Sequence, residues 1–241
     1  MQCVILAGGL GTRIASVAPA VPKALIPVAG EPFAHHQLSL LEASGVREVV
    51  YCVGHRGDAI RAFVGSGSRW NLHVSYVDEG RMLRGTAGAL RLAFESGVLR
   101  PVFFVLYGDS YLPIDYRAVW AAFEQAAGME ALMTVFRNDQ RWDLSNVIFD
   151  GQRVLLYDKS RKDPRAGEMV YIDYGLSVFR RDLVQREVPR DGVVELAEVY
   201  GRLSVSGLLA GYEVHERFYE IGSPAGLEEL RNRLGRGPVS G

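Results

Sequence analysis

The chain predicts an α/β fold with a mostly parallel, mixed sheet covered on both faces, on three observations. Short apolar runs at Cys3–Leu6, Val49–Val53 and Val102–Leu106 are continuous rather than alternating, the pattern of strands buried on both faces. Segments with helical spacing separate these runs. The connections are short, and glycine stands just past the last periodic residue of several segments, where a helix is expected to stop. Strand–helix–strand alternation of this kind builds three layers around a sheet.

The first strand, Cys3–Leu6, runs into a glycine loop. Ala34–Ser44 follows with Leu38 and Leu41 on one face and stops at Gly45. Ile60, Phe63 and Val64 share a helical face after the strand Val49–Val53, and His73–Val77 is a further strand candidate. In Thr86–Ser96, Leu90 pairs with Phe94 ahead of Gly97; Val119, Trp120 and Phe123 mark a helix ended by Gly128. Leu132–Phe136 reads as a fourth buried strand. Beyond about residue 140 the pattern changes: Val147–Phe149 and Val154–Tyr157 flank Asp-Gly, a hairpin signal, and Val170–Phe179 is a longer β-run. Helices are expected at about 195–205 and 224–234. No linker, repeat or low-complexity segment interrupts the pattern, so one domain over 1–241 is expected, with the hairpin as a small insertion.

The composition is 48% hydrophobic and 23% charged, with a formal net charge of -1. That balance argues against a nucleic-acid surface. No leader pattern and no bilayer-length apolar stretch occur, so a cytoplasmic location without membrane contact is expected. Cys3 and Cys52 lie in strand-like runs and read as buried packing residues. His35 and His36, at a helix start, read as structural. Arg161-Lys162-Asp163 reads as a solvated loop.

Chemistry concentrates in LAGGLGTRI, residues 6–14. The dinucleotide fingerprint fails because Ile14 stands where a small residue is needed, and no Gly-Lys-Ser/Thr completes a Walker loop. Consecutive backbone N–H groups in a glycine loop still form an anion-binding concavity, and Arg13 adds a bidentate partner for phosphate. Lys23 is a single cation in the apolar stretch PKALIPVAGEPF, fixed by Pro22. Asp109 follows a strand and a glycine at the sheet edge where open α/β folds bind ligands; the alternative there is a helix cap or turn residue.

LAGGLGTRI together with PKALIPVAGEPF resembles the signature of the sugar-1-phosphate nucleotidyltransferases, and LAGGLGTR with EGRMLRGTAGAL (79–90) most resembles members handling mannose- or manno-heptose-type phosphates, often with GTP. RGTAGAL (84–90), YGDSYLPID (107–115), LLYDKS (155–160), YIDYGLSVF (171–179) and YEIGSPAGLEEL (219–230) follow in the family's order, although Arg84 replaces the leucine usual before Gly-Thr. The resemblance implies a Rossmann-like fold and a reaction in which an NTP and a sugar 1-phosphate give an NDP-sugar and pyrophosphate, with Mg²⁺. It implies catalytic roles for Arg13, Lys23 and Asp109. The nucleotide would contact Leu6, Ala7, Gly8, Gly9, Gly11, Thr12, Gly85, Thr86 and Gly88. For Thr86 and Gly88 the alternative is a helix start, with Thr86 as cap and Gly88 as packing space. Lys159, Asp173 and Gly175 would face the sugar phosphate, and a solvated hairpin lysine is the alternative for Lys159. Asp109 would hold the metal. The family's second aspartate is replaced by Glu220, whose extra methylene leaves two options, ligation or a miss. Two other functions stay open. One is cytidylyl transfer to phosphocholine, with Tyr171, Tyr174 and Asp173 as an ammonium cage. The other is a non-catalytic sugar-nucleotide sensor. A monomer or homodimer is expected.

Overall fold

The computed structural model describes residues 1–9, 14, 21–80, 82 and 84–235. Four parallel strands form its centre: β1 (Gln2–Ala7), β4 (Glu48–Val53), β5 (His73–Asp78) and β6 (Val102–Tyr107), in the order β5-β4-β1-β6. Two small strands, β2 (Pro27–Val28) and β3 (Glu31–Pro32), pair between β1 and the first helix. The crossovers are α1 (Phe33–Ala43), α2 (Gly57–Val64) and α3 (Gly85–Glu95).

β1, β4 and β6 alternate between two cores, which is why their sequences are almost wholly apolar, whereas β5, at the edge, carries His73, Ser75 and Asp78. Cys3, Ile5, Val49, Tyr51, Phe104 and Leu106 face α1, α2 and α4 (Tyr116–Gln125). Val4, Val50, Cys52, Phe103 and Val105 face the opposite layer, which contains α3, α5 (Arg181–Glu187) and α6 (Leu196–Val205). Both cysteines are free and buried, and burial pushes both thiols far above their ordinary pKa. α4 begins on a cap supplied by Asp115, whose carboxylate accepts from the N–H groups of Arg117 and Ala118. Asp115, not Asp109, therefore does the capping.

The second half of the chain adds antiparallel strands. After β6, a two-residue strand β7 (Ser110–Tyr111) leaves the main sheet. β8 (Ala131–Arg137) and the hairpin β9 (Val147–Phe149) and β10 (Val154–Tyr157) precede β11 (Tyr171–Arg180). β11 runs antiparallel to both β6 and β8. The expected parallel strand at 132–136 is thus parallel only to its outer neighbour, β12 (Leu209–Val214). The hairpin forms as expected, with the Asp150 carboxylate accepting from the N–H groups of Gln152 and Arg153.

The chain closes with β13 (Tyr219–Glu220), paired to β7, and α7 (Pro224–Gly235). A third core joins them to the N-terminal loop: Ile14, Ile26, Val28 and Phe33 pack with Ile221, Leu227 and Leu230. Among the described residues no helix is long and apolar enough to cross a membrane.

Candidate functional site

β1 and β6 lie side by side, with α1 on one face and α3 on the other. Their C-terminal ends therefore mark the point at which the direction of winding reverses, the usual crevice for ligands in an open α/β sheet. Both strands leave through glycine. A Cβ on Gly108 would stand 2.8 Å from the Leu6 carbonyl oxygen and 2.9 Å from the Ala7 Cβ, so only glycine allows the two exits to touch. The Gly108 N–H donates to that same Leu6 carbonyl at 2.9 Å.

A cleft of about 700 Å³ opens over this seam. Of the sequence-predicted residues, Leu6, Ala7, Gly8, Gly9, Lys23, Gly85, Thr86, Asp109 and Lys159 line it. Gly11, Thr12 and Arg13 lie outside the described residues. Gly88, Asp173, Gly175 and Glu220 do not line the cleft.

Lys23 opens a short 3-10 turn whose bonds, Leu25 N–H to Pro22 and Ile26 N–H to Lys23, hold the chain across the cleft mouth. Its Nζ meets Asp109 Oδ2 at 2.8 Å, with the two side chains 20% and 25% exposed. The pair is sheltered enough to be only partly screened and open enough for either charge to be reached by a ligand.

The closing segment reaches the same pair. Glu220 faces Ser110 across the β13–β7 ladder, and the Ile221 N–H donates to the Asp109 carbonyl at 3.0 Å. A Cβ on Gly222 would stand 2.8 Å from Glu220 Oε2, 3.0 Å from Asp109 Oδ2 and 3.4 Å from Lys23 Nζ. Glycine thus leaves open a space rimmed by two carboxylates and an ammonium. The Glu220 carboxylate is occupied: Oε2 accepts from the N–H groups of Gly222 and Ser223, and Oε1 from the Ser223 hydroxyl. Its extra methylene folds it back onto the start of α7, where a negative charge is favoured. Among the described residues no cluster of three or more His, Cys, Asp or Glu converges. The space suits a hard, oxygen-liking cation that takes one carboxylate oxygen from Asp109 and fills its remaining positions with phosphate oxygens and water.

At the other side of the cleft, the start of α3 is not the open anion site a bare helix N-terminus would offer. The Thr86 N–H and hydroxyl both donate to Glu195 Oε2, the latter at 2.6 Å, and the Ala87 and Gly88 N–H groups go to the Val194 carbonyl. The Thr86 hydroxyl in turn accepts from the Leu196 N–H at 2.8 Å, so it serves the start of α6 rather than capping α3. Gly88 is packing space: its Cβ would stand 2.6 Å from the Arg84 Cβ. Arg84 turns away toward the Arg190 carbonyl.

Sequence reasoning missed two acidic residues of the cleft, Glu79 and Glu195. Glu79 follows β5 and lies over Gly8, whose Cβ would stand 2.0 Å from its Oε1. Burial raises its pKa above the ordinary carboxylate value, against the pull of the Arg84 N–H that donates to Oε2. The glycine at position 8, already visible in the sequence, is the signal: something had to occupy the room it leaves.

Lys159 sits on an exposed turn built by Asp158, whose carboxylate collects the N–H groups of Ser160, Lys162 and Asp163. Burial works to raise the Asp158 pKa, but these bonds and the Ser160 hydroxyl hold it down to about 2. The loop expected to be solvated is partly fixed as well. Arg161 donates to the Ser145 and Ala166 carbonyls, and Asp163 caps a short 3-10 turn. Asp173 lies behind this edge, accepting from the Gly175 N–H at 3.0 Å; burial pushes its pKa up to about 6, with the Lys159 charge pulling the other way. Tyr174 packs on Phe136 and Phe218, and Tyr171 on Phe149, so these tyrosines do not form an open cage.

The family model described as nucleotidyl transferase matches residues 2–150. The chain belongs to the nucleotidyl transferase family. Among curated relatives, it is 26% identical to the mannose-1-phosphate guanyltransferase of Schizosaccharomyces pombe over 93% of this chain and 61% of that one. It is 27% identical to the mannose-1-phosphate guanylyltransferase of Mycobacterium tuberculosis over 93% and 62%. The chain thus spans about three-fifths of the length of these relatives. The crystal structure of HddC from Yersinia pseudotuberculosis, also solved complexed with GMP-PN, superimposes with a TM-score of 0.77 at 22% identity, covering 97% of this chain and 99% of that one. This likeness is one of Rossmann-like fold.

Because the Gly108 Cβ position is filled by backbone, Gly108→Ala is expected to destabilise the protein by roughly 1–3 kcal/mol, as overpacking does. Urea unfolding of the two proteins measures it; an unchanged midpoint would show that the two strand exits are not in contact.

Proposed function

We propose that this chain transfers a nucleotidyl group from an NTP to a sugar 1-phosphate, releasing pyrophosphate, with GTP and a mannose- or manno-heptose-type phosphate as its substrates. The observation that carries this is the Lys23–Asp109 pair at the C-terminal seam of β1 and β6, in one cleft with Gly8 and Gly9. Phosphoryl chemistry of this kind asks little covalent work of a protein; it asks for positioning and charge neutralisation. The acceptor is a phosphate monoester, largely dianionic at neutral pH because its second pKa is near ~6, so it needs no general base. One of its oxygens attacks the α-phosphorus in line as the bond to pyrophosphate breaks.

In this assignment Lys23 Nζ turns from Asp109 to the phosphate oxygens on which charge develops. Asp109 holds Mg²⁺, which supplies charge neutralisation at the phosphates when bound. Glu220 keeps α7 and Gly222 in place beside Asp109. Arg13 is assigned the β- and γ-phosphates on the sequence pattern alone. Lys159, on the exposed edge, takes the acceptor phosphate, with Asp173 and Gly175 behind it. Gly9, where a Cβ would meet nothing within 4 Å, lets the triphosphate approach the backbone.

Glu79 supports the choice of base. A carboxylate over Gly8, with Oε2 tied to the Arg84 N–H and Oε1 turned toward the loop, suits the paired N1–H and N2–H₂ donors of guanine, which no other common base offers side by side. The names of the curated relatives point the same way.

Pyrophosphate release from GTP, dTTP, UTP, CTP and ATP against several sugar 1-phosphates and phosphocholine tests the proposal. Release is expected with GTP and a manno-configured phosphate, and silence across all pairs from folded protein would overturn it. Asp109→Asn is expected to lower turnover by about 10²–10³ with the fold unchanged, the usual effect of removing one preorganised electrostatic partner. Full activity in that variant would remove Asp109 from the metal site. For Glu79→Gln, the preference for GTP over ATP in kcat/KM is expected to fall roughly 10–100-fold, the worth of a bond to a charged group. Wild-type GTP affinity should also weaken as pH falls through the raised Glu79 pKa, because only the ionised form accepts both donors. The Gln variant should lack that acid limb; an acid limb that survives would assign it to another group.

A further inference from the structure

Gln37 lies in α1, outside the residues that line the cleft, and is 1% exposed. Its Nε2 donates to the Tyr107 carbonyl at 3.1 Å and to the Ser110 carbonyl at 2.9 Å. Those two carbonyls bracket Gly108-Asp109, the turn by which the chain leaves β6 and enters β7. A single buried amide thus spans the base of the turn that presents Asp109.

The orientation of the amide is settled by its surroundings. Reversed, it would aim its oxygen at two carbonyl oxygens; as placed, both of its N–H donors are used. The cost appears at the other atom: Gln37 Oε1 is buried and has no hydrogen-bond partner among the described residues. A buried acceptor without a partner is unfavourable, so the side chain is held by its two donor bonds rather than by general polarity.

We infer that Gln37 is a positioning residue for the candidate metal site: by pinning the Tyr107 and Ser110 carbonyls it fixes the direction in which Asp109 presents its carboxylate. This rests on the proposed role of Asp109. The Ile221 N–H holds the Asp109 carbonyl, and Lys23 holds one carboxylate oxygen. Gln37 supplies the third constraint, from beneath, and keeps it when Lys23 turns to phosphate. Groups that orient a ligating carboxylate in this way commonly contribute about 10–100-fold to metal affinity or activity.

Gln37→Met keeps the length of the side chain and removes both donors. Expected are a kcat lower by about 10–100-fold at fixed Mg²⁺ and a matching rise in the Mg²⁺ concentration for half-maximal rate, with KM for the NTP within about twofold. Amide hydrogen exchange across residues 107–111 should accelerate in the free protein. Weakened Mn²⁺ binding, read by water proton relaxation, should accompany it. A folded variant with unchanged Mg²⁺ dependence and unchanged Mn²⁺ affinity would overturn the inference. Should Gln37→Met fail to fold, Gln37→Asn keeps an amide in the pocket but falls one methylene short, and the same outcomes decide. If the wild-type protein transfers no nucleotide at all, the functional proposal fails, while Mn²⁺ binding and exchange in wild type and variant still judge Gln37.

Discussion

An anionic carboxylate and a cationic amine have to stand at one sheet edge, half out of water, without either being left alone there. The Lys23–Asp109 ion pair meets that requirement, and much of the surrounding structure follows from it. An isolated charge so placed would be costly. The pair removes the penalty, but only if three distant segments arrive together: the turn after Pro22, the exit of β6 and the approach of Gly222. Each segment shows a local device that serves this meeting. Pro22 and the 3-10 turn fix Lys23, Gly108 lets the β6 exit touch the β1 exit, and the absent Cβ at Gly222 leaves the common space open.

The convergence is braced from below by packing rather than by charge. Ile14 and Ile26, flanking Lys23 in sequence, bury against Ile221 and Leu227 on either side of Gly222. The third core therefore ties the segment around Lys23 to the segment around Gly222. Glu220 belongs to this brace. Its carboxylate accepts three donors at the start of α7.

Much of the fold was legible because the central strands are buried on both faces, and an unbroken apolar run as short as Val49–Val53 suits few environments besides the middle of a covered sheet. The helices between them declared themselves through spacing and a terminal glycine. α5 and β12 were not seen, for identifiable reasons. α5 is seven residues long with only Leu183 and Val184 buried. β12 carries Gly211 in its interior, where a Cβ would strike the Phe149 ring at 2.3 Å. The sheet direction beyond β6 was also hidden, since Leu132–Phe136 looks the same whether its neighbour runs up or down. For the candidate site, Lys23 and Asp109, each in one short motif, could be singled out in the sequence, and the structure brings the two together. Residues set by long-range contact could not be: Glu79 meets Gly8, and Glu195 meets Thr86, only after the chain has folded.

The blocked start of α3 sharpens what the glycine loop is for. The N–H groups of Thr86, Ala87 and Gly88 are committed to Glu195 or Val194, so RGTAGAL is a poor second phosphate cradle despite its two glycines. Among the described residues, the cations that line this cleft are Lys23, Arg56 and Lys159, and the sequence pattern adds Arg13 as an expectation. On the proposed function, Lys23 and Asp109 can exchange each other for phosphate and a divalent cation in one event. Both charges are then paired before binding and after it, and neither passes through a state in which it stands buried and alone. Ligands that bring only one of the two charges would have to break the pair without replacing both sides of it. The pair therefore favours a nucleotide that arrives with its cation over either component by itself.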